Sequence, residues 1–123
     1  MKVAVTSTGP TLDDQIDPRF GRCAFFLIVD FETSNFEPME NPNIDLGQGA
    51  GIQSAQSVVG KGIDALITGN CGPKAFQVLN ESGVKVISGA SGTVRKAIDD
   101  FKSGGLSESS SPTPTAGEYP TTA

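Results

Sequence analysis

A chain of 123 residues is one domain's worth of sequence, long enough to bury a single core. Its formal net charge of -5 argues against a nucleic-acid or anionic-membrane binder, which would present a basic face. No apolar run approaches the roughly 18 residues of a membrane span, and the absence of histidine removes a serine–histidine triad and the commonest metal ligand.

Lys2 to Thr6 reads as a first strand, a β-branched run ended by Ser7-Thr8-Gly9-Pro10. Lys2 followed by Val3-Ala4-Val5 is too short for the apolar region of a signal peptide, so the default expectation is a cytoplasmic protein. Thr8 to Arg22 is a long loop with two prolines, two glycines and three aspartates. Cys23 to Asp30 (CAFFLIVD) is a continuous apolar run of strand length, as in a strand buried on both faces. The turn Glu32 to Asn35 returns the chain through Phe36 to Met39, and Pro38 places this hairpin strand at a sheet edge. The segment NPNIDLGQGAG feeds a helix from about Ile52 to Gly60.

From there the pattern alternates. Asp64 to Thr68 is a strand, Pro73 to Ser82 a helix, Val84 to Ser88 a strand and Thr93 to Lys102 a helix, with Gly83 where a terminating glycine belongs. Strand and helix in short alternation imply parallel strands joined by crossovers. The fold class expected is therefore α/β, with a mixed sheet of five strands and helices packed on it. After residue 103 the composition turns to Ser, Thr, Pro and Gly without periodicity, so 1–103 reads as the folded domain and 104–123 as a disordered tail.

Ligands of open α/β sheets bind outside the carboxyl ends of the parallel strands. If the first strand runs parallel to the last two, three loops leave from that edge: DPRFGRC, TGNCGPKAF and SGASGTV. Pro73 suits the first position of a helix and makes Gly72 its N-cap, while Ser91 suits the N-cap of the last helix. Both helix N-termini then offer free amides and partial positive charge. Arg19, Arg22, Lys74 and Arg95 add full charge, and an anionic ligand is indicated. Cys71, one residue before that N-cap and close to Lys74, is expected to have a lowered pKa and to be the reactive thiol or soft-metal ligand. Cys23, at a strand start, is expected to be an ordinary buried thiol. A plainer reading stands beside this one: a tight turn with Cys71 as filler, and a loop in which Asp17 and Arg19 hold the backbone while Phe20 plugs the core edge.

Several motifs fail on inspection. Gly47 to Gly51 (GQGAG) lacks both the third glycine and the preceding strand of a dinucleotide fingerprint, and is read as flexible entry to a helix. No Gly-Lys-Ser/Thr marks a P-loop, and the first strand carries no carboxylate to hold a nuclease's metal.

The ordered set DPRFGRC, FFLIVD, GAG, TGNCGPKAFQVLNESGVKVI and GASGTVRKAI resembles the dinitrogenase iron–molybdenum cofactor biosynthesis family, the NifX-like proteins and the matching part of NifB. The resemblance covers residues 1–103. It implies a ribonuclease H-like fold without nuclease activity, and a non-enzymatic role in binding or carrying an anionic metal–sulfur cluster. The cargo would be an iron–molybdenum cofactor precursor or, as in the related orange proteins, a molybdenum–copper sulfide. The family's motifs correspond to Phe20-Gly21-Arg22, Gly69 to Ala75 and Ser91 to Val94. With Arg19 from the cationic edge, the candidate binding residues are Arg19, Phe20, Gly21, Arg22, Gly69, Asn70, Cys71, Gly72, Lys74, Ser91, Gly92 and Thr93, and the candidate metal ligands are Cys71 and Cys23. The partners implied are cluster donor or acceptor proteins, with neither nucleic acid nor membrane, and the chain is expected to be a monomer. Several family members carry histidine near DLGQGAGI and this chain has none, which leaves the cysteines or purely electrostatic retention. A module binding a small anion or phosphate, with Cys71 as a redox-sensitive thiol, is the competing reading.

Overall fold

The computed structural model describes residues 1–44 and 49–106. Its strands are β1 (Lys2–Ser7), β2 (Phe25–Asp30), β3 (Phe36–Glu40), β4 (Ala65–Ile67) and β5 (Lys85–Ile87); its helices are α1 (Ala50–Val59), α2 (Pro73–Glu81) and α3 (Val94–Lys102). They form one mixed sheet in the order β3-β2-β1-β4-β5. β1 pairs with β2 antiparallel, Val3 opposite Val29, and with β4 parallel, Val3 opposite Ala65. β4 and β5 are parallel, so three strands deliver their carboxyl ends to one edge. Pro38 lies in β3, at the sheet's edge, where a missing ladder donor is tolerated.

The period-2 alternation of strand side chains divides the core in two. Ala4, Phe26, Ile28, Leu66 and Val86 face α1 and α2, where they meet Ala55, Val58, Ala75 and Leu79. Val3, Val5, Leu27, Val29, Ala65, Ile67 and Ile87 face α3, where they meet Val94, Ala97 and Ile98. Leu66 and Ile67 are both fully buried, so β4 packs on its two faces at once. Each such side chain contributes about 1.5–3 kcal/mol of burial.

Helix ends follow local chemistry. Pro73 begins α2, and beyond its end the amides of Gly83 and Val84 return to the carbonyls of Asn80 (3.1 Å) and Leu79 (3.0 Å). Two starts differ from expectation. α1 begins at Ala50, two residues before Ile52, so Gly49 and Gly51 are its cap and first turn rather than a flexible approach, while Gly47 and Gln48 lie outside the described residues. α3 is capped by Thr93, whose hydroxyl accepts from the Lys96 amide at 3.2 Å, and not by Ser91. The tail expected over 104–123 lies outside the described residues from 107 onward. Gly104 to Leu106 stay with the body: Gly105 N–H donates to the Asp100 carbonyl at 2.7 Å, and Leu106 packs against the α3-side core.

Candidate functional site

The loop after β1 is stitched across the carboxyl edge of the sheet. Thr6 Oγ1 lies 2.9 Å from Thr68 Oγ1, joining β1 to the end of β4, and donates to the Asp17 carbonyl at 2.8 Å. The Asn70 amide donates to the Pro18 carbonyl (2.8 Å) and the Phe20 amide to the Asn70 carbonyl (3.2 Å). This pairing requires Gly69, because a Cβ there would sit 2.7 Å from Pro18 Cα. On the other side of the loop, the Ile16 amide donates to the Gly92 carbonyl at 2.8 Å and Gln15 bridges to Thr93.

The loops thus touch in pairs, and they do not close around one pocket. A cleft of about 340 Å³ opens on the α1/α2 face. Phe20, Ile52, Pro73 and Ala75 give it apolar walls, Gly21, Gly51 and Gly72 bring backbone to its surface, and Lys74 stands at its rim. Ser91, Gly92 and Thr93 belong instead to the start of α3, on the opposite face. There the amides of Val94 and Arg95 are taken by the carbonyls of Asp14 (2.9 Å) and Leu12 (2.8 Å), so α3 has no first-turn amides to offer an anion. The expectation of free amides at that helix is corrected: the loop after β1 folds back and caps it.

α2 keeps its N-terminus open. Its hydrogen-bond ladder starts with Phe76 N–H to Gly72 C=O at 2.9 Å, and no side chain caps the amides of Lys74 and Ala75 that precede it. α1 is built alike. Its ladder starts with Gln53 N–H to Gly49 C=O at 3.0 Å, no side chain among the described residues caps the earlier amides, and Gly49, Gly51 and Ile52 line the same cleft. Neither helix carries an acidic residue in its first turn. Two helix dipoles therefore aim partial positive charge at one cavity. The α1 contribution escaped the sequence reading, although the glycines of GAG were its signal.

The expected cationic cluster is thinner than supposed. Arg19 Nε lies 3.4 Å from Asp17 Oδ1, whose carboxylate is buried and also accepts the Arg19 amide at 3.0 Å. Arg95 pairs with Asp13 at 2.9 Å across an exposed surface. Each holds the other's charged form: Asp13 is pushed below the usual carboxylate range and Arg95 above its usual value. Arg22 Nη1 donates to the Ile44 carbonyl at 3.3 Å. Among the described residues, Lys74 is the cation that lines the cleft.

Both cysteines are fully buried, neither in a disulfide and neither lining the cleft. Burial pushes the Cys71 thiol up to about 12, the reverse of the lowered value expected from its position before α2. The side chain turns into the apolar core beneath that helix, and desolvation of a thiolate outweighs the helix dipole. Cys23 is raised further, by burial first and then by the charge of Asp17. Among the described residues no group of three His, Cys, Asp or Glu side chains converges to hold a metal ion. No helix among them is long and apolar enough to cross a membrane.

Residues 1–104 match the family described as dinitrogenase iron-molybdenum cofactor. The chain belongs to that family. The apo form of the orange protein of Desulfovibrio gigas superposes with a TM-score of 0.89 at 43% identity, over 92% of this chain and 96% of that one. A putative NifB protein from Thermotoga gives 0.81 at 40% identity, over 93% and 97%. An uncharacterised protein of Methanocaldococcus jannaschii is 33% identical over 109 residues, 86% of this chain and 89% of its own. In this family member Phe20 and Gly21 of the first motif and Asn70 and Gly72 to Ala75 of the second line the cleft, Arg22, Gly69 and Cys71 do not, and Ser91 to Val94 supplies the cap of α3.

Proposed function

We propose that this protein is a non-enzymatic carrier that holds an anionic metal–sulfur cluster, without a bond from protein to metal, in the cleft between α1 and α2. The observation that carries the reading is the cleft's composition: apolar walls, two helix N-termini with no capping side chain among the described residues, and one lysine at the rim. A sulfide-faced anion is large, soft and weakly hydrated, so apolar contact and a few amide donors offset its desolvation. A phosphate or molybdate concentrates its charge on oxygens and needs a dense set of charged donors. The buried Cys71 also weighs against a redox-sensing module. The cargo is an iron–molybdenum–sulfur precursor or a molybdenum–copper–sulfur anion, in keeping with the family and with the likeness to the orange protein and the NifB-like protein. The partners are then proteins that donate or accept such clusters, with the carrier acting as a monomer in the cytoplasm. The strand order, with β2 antiparallel to its neighbours, supports a ribonuclease H-like assignment for the domain of residues 1–103.

The test is anaerobic titration with tetrathiomolybdate, with and without copper, followed by gel filtration, with molybdate and phosphate as parallel arms. The expected result is a coloured protein fraction with charge-transfer bands for the thiometallate and no retention of either oxyanion. A colourless fraction, or phosphate held as tightly as thiometallate, refutes the carrier reading.

A further inference from the structure

The wall of the cleft formed by Gly21 and Gly51 is held by a buried polar hub outside it. The carbonyl of Gly21 accepts two donors, Ser54 Oγ at 3.0 Å and Asn41 Nδ2 at 3.2 Å. Asn41, which follows β3, is buried, and its carboxamide is fully used. Nδ2 also donates to the Cys23 carbonyl at 3.0 Å, and Oδ1 accepts from the Asn43 amide at 3.0 Å and lies 3.3 Å from Ser54 Oγ. The carboxamide orientation is fixed by these partners, since turning it over would set an oxygen against two carbonyls. Ser54 has no exposed surface and lies one helical turn after Gly51, so the hub ties α1 to the loop after β1. At that seam the backbones are in close approach: a Cβ on Gly21 would lie 2.9 Å from both Cα and N of Gly51.

We propose that Asn41 and Ser54 are positioning residues that set the separation of the Gly21 and Gly51 backbones, and through it the aim of the α1 amides at the cargo. Neither side chain lines the cleft. The proposal rests on the carrier reading only for what the wall is used for. The arrangement itself involves protein groups alone. A carbonyl gripped from a strand end and from a helix leaves the seam little freedom, as a preorganised site requires.

Two variants test this. Ser54→Ala removes one donor, leaves the Gly21 carbonyl its Asn41 bond and puts a good helix former in α1, so the fold should hold. Asn41→Asp keeps an acceptor for the Asn43 amide but removes the donor to Gly21 and Cys23. Amide NMR of the unliganded protein should show the Gly21, Gly51 and Ile52 signals shifted and broadened in both variants, with β4 and β5 signals unmoved. Gln56→Ala, on the exposed side of α1, should leave all of them in place. Tetrathiomolybdate should bind about fivefold more weakly to Ser54→Ala than to the unmodified protein. Unmoved Gly21 and Gly51 signals in Ser54→Ala, or moved signals with unchanged affinity, overturn the proposal. Moved signals in a protein whose unmodified form retains no thiometallate leave the positioning role standing and refute the carrier reading. Should Asn41→Asp fail to fold, Ser54→Ala decides alone.

Discussion

One methyl group added on either side of the Gly21–Gly51 seam should have opposite effects on stability. Gly51 has ordinary helical backbone in the first turn of α1, and a Cβ there would meet only Ala75 Cβ, at 3.5 Å, an ordinary contact. Gly51→Ala therefore removes unfolded-state freedom without strain, which stabilises by about 0.5 kcal/mol at this terminal position. Gly21→Ala drives a Cβ to 2.9 Å from Gly51 Cα and N and 3.3 Å from Ala50 C, all of it backbone that cannot rotate aside. Its cost is about 1–3 kcal/mol. At roughly 4–8 °C per kcal/mol for a domain of this size, calorimetry should show a rise of about 2–4 °C for the first variant and a fall of at least about 4 °C for the second. The methyl of Gly51→Ala also stands on the cleft surface over the first-turn amides, so tetrathiomolybdate affinity should fall about tenfold, near 1.4 kcal/mol, in the more stable protein. A destabilised Gly51→Ala, or one that binds as well as the unmodified chain, would refute the assignment of this wall as the binding surface.

Three further outcomes are expected. In the folded protein Cys71 keeps its proton up to about pH 12, whereas an unfolded thiol loses it near 8.5; Cys71 thus contributes stability that is complete below pH 8.5 and drains away toward pH 12, and urea midpoints of Cys71→Ala should fall less steeply over that range than those of the unmodified chain. Lys74→Glu should weaken thiometallate binding roughly tenfold by reversing the charge at the cleft rim, while Arg95→Glu, across the molecule and paired with Asp13, should leave the isotherm unchanged. Thr6→Val should cost about 1–3 kcal/mol in chemical denaturation, because it strands the buried Asp17 carbonyl and removes the Thr68 partner; a neutral substitution would mean that water replaces the hydroxyl.

The sheet was legible because its strands obey rules that act locally. Apolar runs gave β1, β2, β4 and β5, Pro38 marked an edge, and Pro73 and Gly83 bracketed α2. What failed was set by tertiary contact. The first turn of α1 contains a glycine that disfavours a helix in isolation, and it forms where Gly51 packs against Gly21 and Ala75. The cap of α3 moved to Thr93 because the carbonyls of Leu12 and Asp14, some eighty residues earlier, fill the remaining first-turn amides. Cys71 shows the same limit at the site. Its neighbours Gly72, Pro73 and Lys74 announce a helix N-terminus, but only the packed fold says that the side chain turns inward from it. Likewise, three loops leaving one edge do not reveal which face of the sheet each will serve, and Ser91 to Thr93 serve the other one.

β1 lies at the centre of the sheet yet precedes the sheet's other four strands in the chain. Its antiparallel neighbour arrives by residue 30, and the meander β1-β2-β3 is complete by residue 40, but the parallel partner of its other side is not made until Ala65. Between those points in translation, Val3-Ala4-Val5 present an open hydrogen-bonding edge flanked by apolar side chains, with α2 and α3 still missing. Such an edge is a template for pairing with other chains. A chain ended at Gly60 should therefore aggregate, and one ended at Leu106 should stay in solution. During synthesis, one side of β1 stays open until β4 closes it.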